Sequence, residues 1–450
     1  MDAFGIKKKI LFAVFFTILC PIFGTASCPA SEESTVSNET LANLIEDLRK
    51  EIRSQRETLE RQDETIQALR SKVEALEGAR KQEAISAESA AVQPEPASAV
   101  LEKLGTKLKI KGRAGVGFFK SGSGASGAYP QGSFEIPEAK LQFSLDTDEY
   151  NTFVFRMNLN NAAFNNVDYL YLDSKNFLTC LEGTPFTLES RLGRFKLPFG
   201  EETLSNNIVE SALGSNSAAN PADTDEGWQL SGKVGRTNPW KWFLAFSNGN
   251  SGTGSDNLNV KSVLGKLAYS PVKPLNLSAG VYHSGALKTA ASEFSFAGST
   301  ARPAGAAKWS RTLWELDARW DFGKGKIVDP PAYTDSRAYL RGAWGGIDDN
   351  ADSAVQDRQA GYGFVEGLYN FHPKWYAAAR YSLIDMHGND TATLNSVSDA
   401  TSYDRYSVAL GYRWSPSTLL KLAYDWNVSD TLSGDDPSDN LLTAAAVSSF

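Results

Sequence analysis

The 450 residues include only three cysteines, three histidines and three methionines. That scarcity leaves no disulfide framework to read and too few soft ligands for a His/Cys metal cluster, so no cofactor is called for. Long apolar runs are missing as well: residues 10–19 form the longest, about half of the roughly 20 needed to cross a bilayer as a helix. Nor is positive charge in excess. Lys and Arg number 45 against 53 Asp and Glu, a net charge of −8, which argues against nucleic acid as the main partner. Abundant instead are 37 Gly, 10 Trp, 16 Tyr and 24 Phe, the composition of a β-protein rich in turns and aromatics.

The first hundred residues divide into three parts. Lys7-Lys8-Lys9, the apolar stretch Ile10–Leu19 and the small residues Gly24-Thr25-Ala26-Ser27 read as a secretory signal over 1–27, cleaved near Ala26. Cys28 stands where a lipoprotein carries its lipid, but the Leu expected three residues upstream is replaced by Thr25. A heptad follows. Ile45, Ile52, Leu59, Ile66 and Val73 hold the a positions, and Leu41, Leu48, Leu69 and Leu76 hold d, with Gln55 and Gln62 in the two middle d positions. The pattern predicts an α-helical coiled coil over 38–80, a rod on the order of 50 Å long. β-branched a with Leu d favours a dimer and the paired Gln works against it, so the strand number stays open. Residues 81–104, rich in Ala, Ser, Glu and Pro, read as a linker.

From 105 to 450 the period falls from 3.5 to 2. In Trp314-Glu315-Leu316-Asp317-Ala318-Arg319-Trp320-Asp321-Phe322 apolar and charged residues alternate strictly. Leu420, Leu422, Tyr424 and Trp426 alternate with Lys421, Ala423, Asp425 and Asn427, and the same two-faced pattern recurs along the segment. A soluble sandwich alternates too. Three details favour a membrane barrel instead. Strands of about 11 residues, rising ~3.3 Å each and tilted ~40°, match an outer-membrane apolar band. Trp240, Trp242, Trp314, Trp320, Trp375, Trp414 and Trp426 lie toward strand ends, as interfacial girdles require. A terminal aromatic, here Phe450, is the usual last residue of bacterial outer-membrane barrels. The expected fold class is therefore all-β: a 16-stranded antiparallel transmembrane β-barrel preceded by a periplasmic coiled coil. Short turns alternate with long segments, so the even strand count places both termini in the periplasm.

Charges are sorted along the chain. Acids crowd the predicted outer loops, including Asp348, Asp349, Asp352, Asp390, Asp430, Asp435 and Asp436. Bases sit at inward-facing strand positions: Lys140, Arg156, Arg194, Lys196, Arg319, Arg341, Arg380, Arg405, Arg413 and Lys421. As pore-lining residues they would attract small anions; as paired wall residues they would merely solvate the lumen. The long segments 198–225 and 285–308 are the candidates to fold inward. The first carries Glu201, Glu202 and Glu210 and no Lys or Arg, so a constriction loop built from it opposes the basic wall.

The stretch Arg191-Leu-Gly-Arg-Phe-Lys-Leu-Pro-Phe-Gly-Glu-Glu202 resembles the strand end Gly-x-Phe-Lys-x-Pro-Phe-Gly of the phosphate-selective porin O/P family. Gly227-Trp-Gln-Leu-Ser-Gly232 with Asn248-Gly249, and Ala379-Arg380-Tyr381-Ser-Leu-Ile-Asp385, are similar to it as well. The resemblance implies a homotrimeric 16-stranded outer-membrane porin whose loop after Pro-Phe-Gly enters the pore, with phosphate as the conducted anion.

The functional expectation is a non-enzymatic outer-membrane porin for passive diffusion of small hydrophilic solutes, with mild anion, and through the resemblance phosphate, preference. Its surroundings would be outer-membrane lipid and lipopolysaccharide. Two other classes compete. A structural tether would use the coiled coil to contact peptidoglycan, with the barrel as anchor. A barrel enzyme would need one of His283, His372 or His387 beside Ser or Asp, and no Gly-x-Ser-x-Gly or His-Glu-x-x-His motif is present.

Overall fold

The computed structural model describes most of residues 107–450, excluding among others 123–128, 160–165, 250–260 and 323–337. The expected signal, coiled coil and linker lie outside the described residues. β1 (Leu108–Ser121), β2 (Ser133–Asp146), β3 (Asn151–Asn158), β4 (Asn166–Ser174) and β5 (Phe186–Lys196) lead into segment 197–223. β6 (Thr224–Val234) returns from it, followed by β7 (Trp240–Ser247), β8 (Ser262–Val272) and β9 (Leu275–His283). A separate two-stranded hairpin, β10 (Ala291–Phe296) and β11 (Ser299–Ala301), precedes β12 (Trp309–Phe322). β13 (Ala338–Ala351), β14 (Arg358–His372) and β15 (Trp375–Met386) continue the wall. The short β16 (Ala392–Leu394) pairs on β17 (Val397–Arg413), and β18 (Thr418–Thr431) and β19 (Leu441–Ser449) complete the chain.

The main sheet holds 17 strands, sixteen in the wall plus β16. Each wall strand is antiparallel to its neighbour, and β1 pairs with both β2 and β19, so the sheet closes and no edge is left. This is the expected barrel. The wall strands fall within a few residues of the alternating segments, with β17 starting earlier because its outer end extends into the hairpin with β16.

Strand alternation becomes a radial sorting. On β12 the side chains of Trp314, Leu316, Trp320 and Phe322 are exposed, whereas Leu313, Glu315 and Asp317 are buried. The exposed set continues around the wall through Val365, Val408, Leu410, Leu422 and Trp426. A belt of that extent in water would carry a large unfavourable hydration cost, and it marks a lipid-facing surface. Toward the short-turn end, Trp240 stacks on Tyr269 (4.4 Å) and Trp375 packs on Tyr412 (4.6 Å), in the place of an interfacial girdle.

The inward face also holds apolar clusters, which the alternation did not announce. Phe195, Leu197, Phe199, Tyr282, Leu313, Ile347, Tyr362, Ile384 and Tyr403 pack with Ala218 of segment 197–223 and with Leu394. Leu394 belongs to the β16–β17 turn, which is tightened by positive φ at Asn395 and Ser396. Asn395 Nδ2 donates to Ala218 O at 3.0 Å. A second segment folded onto the lumen contents is therefore Ala392–Val397, whose β16 also meets β11 of segment 285–308. The latter forms its own hairpin, rooted by Leu287 against Ala306 and Trp309.

The sorting sets a test. Leu316→Arg, at mid-strand on the outer face, should cost about 2–4 kcal/mol in denaturant unfolding from lipid, whereas Gln142→Arg on the inner face should cost below about 1 kcal/mol. Equal costs would contradict the assignment of faces.

Candidate channel constriction

Segment 197–223 leaves the wall after Lys196 and turns inward. Pro198 has no N–H to continue the ladder. Leu197 and Phe199 are fully buried in the inner apolar cluster. Gly200 takes φ +73°, and a Cβ there would lie 2.4 Å from Glu315 Oε1. The following amide, of Glu201, donates to Asp317 Oδ1 at 2.8 Å, and Lys266 Nζ donates to Gly200 O at 2.9 Å. The Leu-Pro-Phe-Gly string thus encodes an entry turn: no ladder donor, an apolar anchor, then a residue without a side chain where the backbone crosses a carboxylate.

Beyond the turn the segment is tied to the far wall. Glu202 accepts the Ser217 amide at 2.7 Å and pairs with Arg380 at 3.1 Å. Arg380 also donates to Ser215 O at 3.0 Å and lies 3.5 Å from Glu366, which pairs with Arg341 at 2.8 Å. Glu201 lies 3.6 Å from Arg319, which also pairs with Asp321 and sits over the Tyr339 ring. Arg405 donates to Asn216 O at 2.9 Å, and Tyr376 Oη to Ala212 O at 2.8 Å. Lys421 Nζ donates to the carbonyls of Ile208, Ser211 (2.6 Å) and Leu213 (3.3 Å). Arg413 is wholly buried, donating to Asn370 Oδ1 at 2.7 Å.

This changes the reading of the wall. Arg341, Arg380, Arg413 and Lys421 project inward from their strands, but none is more than 3% exposed. They touch carboxylates, a carboxamide and loop carbonyls in place of water, because the folded-in segment occupies that side of the lumen, and a buried cation must be matched by acceptors. They do not present charge to a permeating ion. The expected row of accessible bases is corrected accordingly.

On the opposite side, β1 to β5 bring a second set together. Lys140 pairs with Asp168 at 3.0 Å and lies 3.6 Å from Glu138. Arg156 pairs with the same Asp168 at 2.6 Å, and its guanidinium lies 3.4 Å over the Tyr169 ring. Arg113 pairs with Glu138 and with Glu210 of segment 197–223. Lys196 donates to Thr203 O and lies in the field of Glu210, Lys140, Arg113 and Arg156. Four cations from four strands therefore meet three carboxylates. Lys140 keeps 18% of its side chain exposed, so this side of the lumen meets water.

Arg194 departs from the expected set. It pairs across with Leu170 and Glu226, in the same row as the exposed Leu192 and Trp228, so it falls on the outward-facing row. Arg191 takes the inward place: it holds Asp173 through two bonds of 2.6 and 2.8 Å and lies over the Tyr171 ring. Two arginines three positions apart do not share a regular strand face; the alternation does not run to the end of β5, since Lys196, in step with Arg194 but beyond Gly193 at φ +130°, joins the lumen cluster. Arg113 was missed for a related reason: its neighbours Gly112, Ala114, Gly115 and Gly117 blur the alternation. Among the described residues no cluster of His, Cys, Asp or Glu has metal-ligating geometry.

No family model and no curated protein matches the chain. Solved structures do. The outer-membrane channel DcaP of Acinetobacter baumannii superposes with a TM-score of 0.51 at 14% identity, over 76% of this chain and 97% of that one. An anion-selective porin from Comamonas acidovorans gives 0.50 at 13% identity, over 76% and 99%. The barrel has the porin fold. Within that porin fold the segment after β5 occupies the lumen, and its attachment is testable. Lys421→Met leaves three buried carbonyls without their cationic donor and should cost about 3 kcal/mol in unfolding; single-channel conductance should rise. Unchanged stability and conductance would show that the lysine does not hold the segment.

Proposed function

We propose that the chain is an outer-membrane porin: a water-filled channel for passive diffusion of small hydrophilic solutes, narrowed by segment 197–223 and mildly anion-preferring. The observation that carries the reading is a closed sixteen-strand barrel with an apolar outer belt and a polar, loop-narrowed interior. Eight strands would fill their own interior with side chains; sixteen enclose room for water.

The sign of selectivity rests on charges that water reaches. At the β1–β5 cluster, Arg113, Lys140, Arg156 and Lys196 face Glu138, Asp168 and Glu210, four positive against three negative. Toward the short-turn end, Lys109 is paired with Asp146 at 2.9 Å, whereas Lys111, Lys233 and Lys241 are exposed, with Lys233 and Lys241 directly opposite each other on β6 and β7. A local surplus of cations raises anion concentration in a narrow aqueous passage. Phosphate as the favoured anion and the homotrimer are supported by the family resemblance. The heptad pattern supports a periplasmic coiled coil over 38–80, after a signal over 1–27 and before a linker over 81–104; contact of that rod with peptidoglycan belongs to the alternative tether reading. Outer-membrane lipid would meet the apolar belt and lipopolysaccharide the acidic outer loops.

Planar-bilayer reversal potentials across a KCl gradient test the proposal. The wild type should give an anion-sided potential that moves toward cation selectivity in Lys140→Glu and Lys196→Glu. Arg413→Gln, a change at a buried position, should leave its sign unaltered. A cation-sided wild type would overturn the selectivity, and an electrically silent protein would overturn the channel.

A further inference from the structure

Below the basic cluster the accessible wall of the lumen carries a small niche open to solvent, lined by residues of β4, β5 and β6 and the turn after β4. Asp173, Lys175, Glu189, Arg191, Gln229 and Ser231 form it. Register shows that the strand residues belong together: Asp173 pairs across with Arg191, Arg191 with Gln229, and Glu189 with Ser231. All four pairing partners on β5 and β6 alternate with the exposed Leu192 and Trp228, so they face inward.

The niche is built. Arg191 is fixed by its two-bond contact with Asp173 and by the Tyr171 ring beneath it. That contact engages Nε and Nη2 and leaves Nη1 as the nitrogen not bonded to Asp173. Gln229 is only 5% exposed, and its side-chain oxygen has no hydrogen-bond partner. A buried acceptor without a donor costs about 1–3 kcal/mol, which a ligand hydroxyl would recover. Glu189 adds an exposed carboxylate in the same row.

We infer that this niche is a binding subsite for a neutral polyhydroxylated solute, a sugar. The inference deepens the channel reading and rests on it. The chemistry selects among solutes. An inorganic anion brings few donors for Gln229 Oε1 and is repelled by Glu189 and Asp173. An amine is repelled by Arg191 and Lys175, and by Lys233 and Lys241, which follow along the same wall. A sugar hydroxyl donates and accepts at once, so it satisfies Gln229 or Glu189 with its hydrogen and Arg191 or Lys175 with its oxygen.

Glucose titrated into KCl-bathed planar bilayers holding the full-length channel gives the test. Wild-type current should fall saturably with glucose, beyond the reduction caused by viscosity. Gln229→Leu and the near-isosteric Glu189→Gln should each raise the half-blocking concentration about tenfold, the equivalent of one lost hydrogen bond. Both should keep the KCl conductance, which reports that the barrel is intact. A wild-type current that follows viscosity alone, or block equal in all three proteins, overturns the subsite while leaving the channel standing. Block by inorganic phosphate at lower concentration than glucose, weakened by Gln229→Leu, overturns the choice of a neutral ligand. A wild type without current overturns both readings.

Discussion

The constraint on which this molecule depends is that backbone amides and carbonyls cannot be left unpaired in hydrocarbon. A sheet satisfies them only if it closes, and closing it forces every second side chain outward and every other one inward. All sorting of charge follows from that geometry. Trp314 and Leu316 point to lipid because Glu315 and Asp317 do not. With sixteen strands the circumference is too large for the inward side chains to meet, so the interior needs additional chain to fill any part of it.

Segment 197–223 is that additional chain, and its relation to the wall is reciprocal. Wall cations such as Arg380 and Lys421 would be untenable at their degree of burial without the carboxylate of Glu202 or the carbonyls of Ile208, Ser211 and Leu213. Conversely, among its described residues the segment has little regular structure beyond one short 3-10 turn at Glu202–Ser205, so its carbonyls need donors from outside. Breaking either side leaves the other unsatisfied, which is why a loop without strand or α-helix can hold one position.

Sequence alone made the wall legible because a period of two is a local signal that survives in single strands. It marked the strict alternation of Trp314–Phe322, which forms the second half of β12. What it left unread depends on which inward residues meet the loop and which meet water, and that is fixed by contacts across more than a hundred residues, as between Lys421 and Ile208. The exchange of Arg194 for Arg191 has a different cause. The motif around Gly193, with φ +130° and backbone packed against Leu170, has arginines on both faces, and only the phase of Leu192 separates them. The inward fold of 392–397 carried no sequence mark beyond Leu394 and its polar turn.

The consequence for permeation is a difference between counting charges and weighting them. A lysine sealed by three carbonyls has a field largely compensated within a few ångströms, whereas Lys140, partly open to water, acts on any ion beside it. Arg380, Arg405 and Lys421 thus serve to place the loop, and by placing it they determine how much lumen remains beside β1 to β6. In the proposed channel, selectivity would then rest with the smaller, less conspicuous set on that side. A net charge of −8 does not by itself set the sign of the field along the lumen: many acids lie in loops or in buried pairs such as Glu366 with Arg341, and a passage feels the charges that water reaches, Lys140 and Glu189 among them.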